Sequence, residues 1–161
     1  MARYFEKISF DQFKKDVCDD KKLYESYNIP KRSTKESAGY DFESVIDFTL
    51  KPGESKKIPL GIKIHMNSGD VMLLLVRSSQ GFKYNVRMCN QVGVFEADYC
   101  DNPDNEGHAW IRLQNHGDVD YIVNRGDKIC QAVFTKFLIV DNEEEVDTVR
   151  VGGIGSTDNK K

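Results

Sequence analysis

The stretch Gly93-Val94-Phe95-Glu96-Ala97-Asp98-Tyr99 lies in a part of the chain where short apolar segments alternate with turn residues. Its own sequence predicts a short glycine-led β-turn that carries two carboxylates and an aromatic ring. From residue 40 onward, β-forming segments are separated by Gly, Pro, Asn and Asp, which predicts an all-β sandwich, jelly roll or small barrel. The predicted β segments are residues 45–50, 57–65, 71–76, 109–114 and 128–140.

The first residues of the chain have a different pattern, because apolar side chains in residues 9–27 recur at the spacing of one helical face. Ser9 is suited to cap this helix, and Gln12 follows three residues later as in a capping box. The sequence therefore predicts a short helix packed on the outside of the domain. The apolar residues on its face are Phe10, Phe13 and Val17.

The last residues of the chain contain an acidic run at 141–147, which is typical of a solvated linker. A glycine-rich tail follows it, and we expect this tail to be flexible unless a ligand or neighbour orders it. The chain is accordingly divided into an N-terminal helical decoration (1–27), a β domain (28–140), and a linker with a flexible C-terminal arm (141–161).

Composition limits the classes of protein to which the chain can belong. Its 161 residues fit one domain, and 39% hydrophobic with 30% charged residues suits a globular protein. The sequence contains neither an apolar run of membrane-spanning length nor a signal-peptide core, so we expect no membrane partner and a cytoplasmic location. A net charge of −3 with dispersed Lys and Arg argues against nucleic acid and suits one small triphosphate.

Five segments resemble, in order, the signatures of the trimeric dUTP nucleotidohydrolases (dUTPases), and the resemblance covers roughly residues 28–158. It implies a distorted jelly roll or β-barrel, a homotrimer with shared active sites, and hydrolysis of dUTP to dUMP and diphosphate. That reaction limits uracil in DNA and supplies dUMP for dTMP synthesis. The five segments are Ala38–Phe42, Arg77–Ser79, Gly93–Tyr99, Arg125–Gln131 and Gly152–Thr157.

The second segment offers guanidinium, hydroxyl and amide donors, which are the groups that bind a triphosphate. By the resemblance, Ser78 lies near the bridge between the α and β phosphates, and Gln131 reaches the phosphates or their metal-bound waters. A polar turn with Ser79 as a helix cap is the structural alternative. The candidate phosphate ligands are the second segment and the two residues that follow it: Arg77, Ser78, Ser79, Gln80 and Gly81.

The third segment, together with Asn90, is expected to form the uracil and deoxyribose pocket. The edge of uracil can pair with backbone groups such as those of Gly93 and Val94, much as one strand pairs with another. An amine in place of an acceptor, as in cytosine, leaves a group unpaired at about 1 to 3 kcal/mol. The resemblance implies that Tyr99 packs flat beneath the deoxyribose and leaves no room for a 2′-hydroxyl.

Glu96 and Asp41 are the candidate catalytic residues. Hydrolysis needs a carboxylate to take a proton from the attacking water, and Glu96 stands where the family has aspartate. Three interpretations are open: Glu96 is a working base, the site binds nucleotide with weakened turnover, or Asp98 compensates. The resemblance implies supporting roles for Asp98, Arg125 and Asp127.

The C-terminal arm is implied by the resemblance to close over the nucleotide of another subunit's site. Ile154 stands where the family usually has a phenylalanine that stacks on uracil. The arm residues expected to contact substrate are Arg150, Ile154, Gly155, Ser156 and Thr157.

Mg²⁺ is the expected cofactor, held through the substrate phosphates and water rather than by a protein metal site. The three histidines are isolated in the sequence, and the loop at 100–108 is a turn insertion without metal-binding spacing. Two other functions are kept: a dUTPase-like binding module that signals to a regulatory protein partner, and the related dCTP deaminase. Gln114 argues against the deaminase, whose glutamate is expected on that strand.

Overall fold

The computed structural model describes residues 3–148 and 150–153. Within them, three helices, one 3-10 turn and twelve strands follow one another along the chain. They are β1 (Tyr4–Lys7), α1 (Phe10–Asp16), α2 (Lys21–Ser26), β2 (Lys31–Arg32), β3 (Tyr40–Glu43), β4 (Phe48–Leu50), β5 (Ser55–Pro59), β6 (Ile62–His65), β7 (Asp70–Leu75), α3 (Ser78–Tyr84), β8 (Val86–Met88), β9 (Gly93–Glu96), the 3-10 turn (Ala97–Tyr99), β10 (Trp110–Asn115), β11 (Tyr121–Val123) and β12 (Lys128–Lys136).

The strands form four antiparallel sheets of jelly-roll type, which confirms the all-β prediction. The largest has the order β2-β3-β12-β7-β9, and a second has the order β5-β10-β8. The pairs β1-β6 and β11-β4 complete the fold. Strands distant in sequence are therefore neighbours, and β9 forms one edge of the largest sheet.

The core lies between the sheets and is filled by alternate side chains of their strands. In β4, β8 and β11 buried and exposed residues alternate strictly, as expected for strands with one solvent-exposed face. Met72 and Leu74 of β7 and Leu113 of β10 are fully buried in one apolar cluster. Truncating one such side chain to alanine costs about 2 to 5 kcal/mol of stability.

The predicted segment at 57–65 proves to be two strands, β5 and β6, separated at Leu60 and Gly61. Gly61 has φ +70°, a left-handed conformation that glycine adopts without strain. The other predicted segments shift by a few residues or, at 45–50 and 128–140, shorten. Sequence patterns missed six strands, because two to four residues are too few to show a period: β1, β2, β3, β8, β9 and β11.

The predicted N-terminal helix is two short helices, preceded by β1 on the edge of β6. Ser9 caps α1 as predicted, since its hydroxyl accepts from the Gln12 amide at 3.1 Å. The expected return contact from Gln12 is wrong, because its side chain donates to Asp16 at 2.7 Å. The chain then turns, and Asp20 caps α2 by accepting from the Leu23 amide at 2.9 Å.

No helix within the described ranges has both the length and the apolar character needed to cross a bilayer.

Candidate active site

The prediction of a β-turn at Gly93–Tyr99 is wrong. This segment forms the edge strand β9 followed by a 3-10 turn. Gly93 lies close to the neighbouring strand, since a Cβ there would be 3.2 Å from Cβ of Leu74. The missing side chain lets β9 pair tightly with β7. This strand carries Glu96 at its end, and the 3-10 turn carries Tyr99.

A first cavity of about 280 Å³ opens along β9, and we call it the nucleoside cavity. It brings together the residues predicted for the base and sugar, so this part of the predicted site is assembled within one chain. Trp110 on β10 also lines it, and no local sequence signal pointed to that residue. Its lining residues are Asn90, Gly93, Val94, Phe95, Glu96, Tyr99, Trp110 and Arg150.

Tyr99 is buried in the wall of this cavity, with its ring edge-to-face against Phe95 at 5.5 Å between centroids. Its hydroxyl donates to the backbone oxygen of His108 at 3.0 Å and accepts from Asn105 Nδ2 at 3.1 Å. Burial raises the pKa of the Tyr99 hydroxyl above its usual range, so it stays protonated.

Arg150 contacts both carboxylates of the segment. Its guanidinium lies 3.2 Å from Oε2 of Glu96 and 3.0 Å from Oδ1 of Asp98. The Arg150 side chain is mostly buried, whereas about half of each carboxylate side chain is exposed. Glu96 and Asp98 therefore share one counter-ion, and Glu96 remains accessible from the cavity.

A second cavity, the phosphate cavity, measures about 360 Å³ and lies beside α3 and the ends of β3 and β12. It contains Asp41, Arg77, Ser78 and Gln131 as predicted. The start of the first signature-like segment forms part of its wall. The complete lining is Ser33, Ser37, Ala38, Gly39, Asp41, Arg77, Ser78, Gln131 and Val133.

The carboxylate of Asp41 organises the charges of the phosphate cavity. Its Oδ1 lies 2.9 Å from Nε of Arg77, and its Oδ2 accepts from Lys128 Nζ at 2.9 Å and from Ser33 Oγ at 2.5 Å. Burial alone would raise the pKa of Asp41, but hydrogen bonds from Lys128 and Ser33 and the Arg77 charge hold it below its ordinary value. Two cations thus pair with one anion, so the cluster around Asp41 has a net positive charge. Sequence analysis missed Lys128 and Ser33.

Three of the five candidate phosphate ligands at residues 77–81 lie outside this cavity. Gln80 is buried, and its side chain donates to the backbone oxygen of Lys128 at 2.9 Å, so it is unavailable as a side-chain phosphate ligand. Ser79 and Gly81 lie on α3 and line neither cavity. The alternative in which Ser79 caps a helix is also wrong, because α3 begins at Ser78 without a side-chain cap.

The fourth signature-like segment supplies Gln131 to the cavity wall and Lys128 to the carboxylate of Asp41, but its first residues form a separate turn. Arg125 pairs with Asp47 at 3.2 Å, and Asp127 accepts from the Asn124 amide at 2.8 Å. Both support a local turn in one chain. The arm residues Ile154, Gly155, Ser156 and Thr157 lie outside the described residues.

Register in the large sheet shows that the two cavities are far apart in one chain. Asp41 on β3 is paired in register with Gln131 on β12, and Gln131 is paired in turn with Leu75 on β7. Glu96 pairs with Val71, four residues back along β7. Three strand spacings and four residues place the Cα atoms of Asp41 and Glu96 about 20 Å apart. Asp41 and Glu96 therefore do not meet within one chain, and their expected action at one site shared between subunits stays a prediction.

Two histidines that are isolated in the sequence have close partners in the fold. His108 is fully buried, and its Nδ1 lies 2.6 Å from Oδ2 of Asp16. Burial of the ring lowers the pKa of His108, although the Asp16 carboxylate acts to raise it. His65 lies with Cys100 and Asp101 in a group of potential metal ligands. The Asp101 carboxylate of that group already accepts from Lys63 at 2.6 Å.

Comparison with known proteins gives a consistent result. The family model described as dUTPase matches residues 25–158. The deoxyuridine 5′-triphosphate nucleotidohydrolase of Lactococcus lactis subsp. lactis is 44% identical over 131 residues, covering 81% of this chain and 87% of that protein.

Solved structures give the same answer for the fold. The dUTPase of Streptococcus mutans superimposes with a TM-score of 0.70 at 33% identity, covering 86% of this chain and 99% of that one. A mutant dUTPase from phage phi11 of S. aureus, described with a structural Mg(II) ion, gives a TM-score of 0.67 at 21% identity. The match covers 92% of this chain and 98% of the phage protein.

Proposed function

This chain belongs to the dUTPase family and hydrolyses dUTP to dUMP and diphosphate, and we propose that its two cavities are halves of active sites completed between subunits. The separation of about 20 Å between Asp41 and Glu96 carries this proposal. A triphosphate group cannot bridge that distance within one chain. A closed homotrimer in which the phosphate cavity of one subunit faces the nucleoside cavity of the next would give three complete sites.

In the phosphate cavity, Arg77 and Lys128 neutralise the triphosphate, while Ser78 and Gln131 donate hydrogen bonds to its oxygens. Asp41 does not contact the reacting atoms in this proposal. It orients the two cations by accepting from both, and its single charge leaves an excess of one positive charge for the substrate. Ser33 completes the arrangement by a hydrogen bond to the same carboxylate.

In the nucleoside cavity, the outer edge of β9 recognises uracil. Because β9 ends its sheet, alternate backbone groups of Gly93 and Val94 face away from β7. These groups can pair with the uracil edge, and Asn90 adds an amide at the rim of the cavity. Tyr99 supports the deoxyribose and excludes a 2′-hydroxyl by the position of its ring.

Hydrolysis in this proposal uses Glu96 as general base. A water molecule attacks the α phosphorus, Glu96 takes its proton, and the bond to the bridging oxygen breaks so that diphosphate leaves with the electron pair. Arg150 holds Glu96 and Asp98 in place. The extra methylene of glutamate is accommodated because Glu96 ends a strand and its side chain is half-exposed.

Mg²⁺ fits this site as an ion carried by the substrate. The phosphate cavity contains one carboxylate, Asp41, and both its oxygens already accept from cations or a hydroxyl. Ser78 and Gln131 remain as neutral groups that could contact waters of the ion. When bound, Mg²⁺ would neutralise charge on the phosphate oxygens.

The C-terminal arm is proposed to close a site by covering the nucleotide. Its described beginning reaches the nucleoside cavity at Arg150, and Gly153 packs against Asp104 and Asn105. Deleting residues 150–161 should abolish turnover and leave the trimer intact, as measured by diphosphate release and light scattering. An unchanged rate would remove the arm from the mechanism.

The remaining assignments are part of the same proposal: a cytoplasmic enzyme, without nucleic-acid or membrane partners, with an N-terminal decoration, a β domain and an arm divided at residues 27 and 140. The comparisons do not favour the signalling module with a regulatory protein partner or the dCTP deaminase. In the fold, Gln114 is half-buried and its side chain contacts Gly53 and His116.

The deciding experiment measures diphosphate release from dUTP with Mg²⁺ by the protein and its Glu96→Asp and Glu96→Gln variants, with dCTP and UTP as controls. We expect turnover of dUTP by the protein and loss of about 100-fold or more in Glu96→Gln. Turnover only in Glu96→Asp would instead indicate a weakened, nucleotide-binding form. Equal rates in all three would exclude Glu96 as the base.

A further inference from the structure

The loop that follows Tyr99, residues 100–108, holds the hydroxyl of that tyrosine from two sides. Asn105 donates to it through Nδ2, and the backbone oxygen of His108 accepts from it. A hydroxyl that both donates and accepts leaves its ring little freedom to rotate or slide. The position of Tyr99 therefore depends on the shape of this loop.

The loop is fixed internally by two asparagines. Nδ2 of Asn102 donates to the backbone oxygen of Tyr99 and to Oδ1 of Asn105, both at 2.8 Å. Oδ1 of Asn102 accepts from the amides of Asp104 at 3.1 Å and Asn105 at 3.2 Å. Asn102 is buried, so these bonds are shielded from water. Every polar atom of its side chain is used to shape the loop around Tyr99.

The loop also closes directly on the Tyr99 backbone. Gly107 has φ +78°, and a Cβ there would lie 2.7 Å from the Tyr99 oxygen and from Cα of Cys100. Oδ1 of Asn105 accepts from the Gly107 amide at 3.0 Å. Glycine at this position permits the close approach that brings Asn105 to the tyrosine hydroxyl.

Helix α1 supports the loop from behind through two contacts. The buried ring of His108 accepts from the Gly61 amide through Nε2 at 2.9 Å, so Nδ1 carries the proton that is shared with Asp16. At the other end of α1, Ser9 donates to Glu106 through its amide at 2.8 Å and its hydroxyl at 2.5 Å. Both ends of the helix are thus bonded to the loop.

Helix α1 lies before residue 25, where the match to the family model begins. The helix side of these contacts therefore lies outside the matched range. They are directed at the one loop that contacts the Tyr99 hydroxyl, which gives the N-terminal segment a position from which it can affect the nucleoside cavity.

We infer that the loop at 100–108, supported by α1, is a positioning unit that fixes Tyr99 and thereby sets discrimination between dUTP and UTP. The inference rests on the proposed function, in which Tyr99 lies beneath the sugar. Steric exclusion of a single hydroxyl requires a wall that does not move, because a displacement of about 1 Å is enough to loosen a site of this kind. Asn105 is the central positioning residue.

Asn105→Asp tests the unit with the smallest change of shape. The variant keeps the oxygen that accepts from Asn102 and Gly107 but cannot donate to the Tyr99 hydroxyl. We expect the ratio of kcat/KM for dUTP to that for UTP to fall about fivefold to tenfold, with kcat for dUTP changed less than about twofold. Asn142→Asp makes the same charge change in the exposed acidic linker and should leave the ratio unchanged. An unchanged ratio in a folded Asn105→Asp protein would overturn the inference.

Asp16→Ala tests the contribution of α1 and decides the question if Asn105→Asp does not fold. It removes the partner of His108 without altering the loop, and we expect the ratio to fall about threefold. Asp11→Ala, on the exposed side of the same helix, is the matched control. A ratio equal to that of the control would overturn the role of α1 and, if Asn105→Asp does not fold, the inference as a whole.

Tyr99→Ala in the same assay separates this inference from the proposed function. If Tyr99→Ala loses discrimination and Asn105→Asp keeps it, the inference fails and the proposed role of Tyr99 stands. If Tyr99→Ala keeps discrimination, both fail. If the unaltered protein releases diphosphate from neither nucleotide, the proposed function fails before the loop is tested.

Discussion

The phosphate cavity and the nucleoside cavity are built on different principles. In the first, Arg77 and Lys128 remain about one-third exposed around the buried carboxylate of Asp41. In the second, Tyr99 is buried and its hydroxyl is bonded on two sides. Attraction between charges falls gradually with distance, whereas steric exclusion changes within an ångström. We therefore expect the phosphate cavity to control how strongly the nucleotide binds and the nucleoside cavity to control which nucleotide is selected.

The largest expected effect comes from separating the halves onto different chains. Asp41→Asn and Glu96→Gln should each lower turnover, the latter by about 100-fold to 10,000-fold, because a general base is lost. If sites are shared, trimers refolded from an equal mixture contain some sites with both halves intact. Random mixing makes about a quarter of the sites complete, so activity should return to about that fraction of the unaltered rate.

Each variant refolded alone is the control for this mixture, and diphosphate release is the measurement. A mixture no more active than the average of its two components would show that one chain supplies both halves. That result would contradict the proposal that each active site is shared between subunits.

Tyr99→Ala should have the next largest effect and should act on selectivity. Removing the ring opens space for a 2′-hydroxyl, so kcat/KM for UTP relative to dUTP should rise about tenfold or more. Tyr84→Ala, at the end of α3, is the matched tyrosine control. Steady-state kinetics with both nucleotides make the measurement, and equal discrimination in Tyr99→Ala and the control would exclude the assigned role.

Arg77→Lys should act on binding and leave selectivity alone. Lysine keeps the charge but loses the planar fork that can contact both Asp41 and a phosphate oxygen. We expect KM for dUTP to rise about fivefold to tenfold with an unchanged preference for dUTP over UTP. Arg87→Lys on β8 is the control. A change in preference as large as that in Tyr99→Ala would contradict the division of roles.

The smallest expected effect concerns stability near the nucleoside cavity. Burial keeps the pKa of His108 in the folded protein below the ordinary histidine value of about 6.5, so the unfolded chain binds more protons when the pH falls below about 6.5. The stabilising contribution is complete above that pH and is lost as the pH falls through 6.5 toward the folded-state pKa. Asp41, whose folded-state pKa is also lowered, acts with the same sign in a more acidic range: its stabilising contribution is complete above about pH 3.8 and is lost as the pH falls further.

Between pH 7.5 and pH 5.5, we therefore expect Tm to fall by about 2 to 4 °C through His108. His108→Gln should reduce this pH dependence, and His116→Gln in an exposed loop should not. Thermal unfolding followed by circular dichroism at the two pH values is the measurement. Equal pH dependence in all three proteins would show that His108 does not titrate in this range.

The sequence alone was enough to predict the all-β class, the Ser9 cap, most of the residues that line the nucleoside cavity and four of the nine that line the phosphate cavity. These features are local: turn residues, a capping hydroxyl and short signatures keep their chemistry wherever the chain places them. It also predicted functional roles for Asp41, Arg77, Gln131, Glu96 and Tyr99, all of which line one of the two cavities. Their identity was available from the residues alone because each signature has a recognisable order of residue types.

Only the tertiary structure decided which of these residues meet. The antiparallel register of β3, β12, β7 and β9 puts Asp41 and Glu96 about 20 Å apart, and sequence gives no account of register. Long-range contacts likewise brought Trp110 to the nucleoside cavity and joined Asp16 to His108 across 92 positions. Such contacts depend on how strands pair and pack over the whole domain, and no local pattern of residues encodes them.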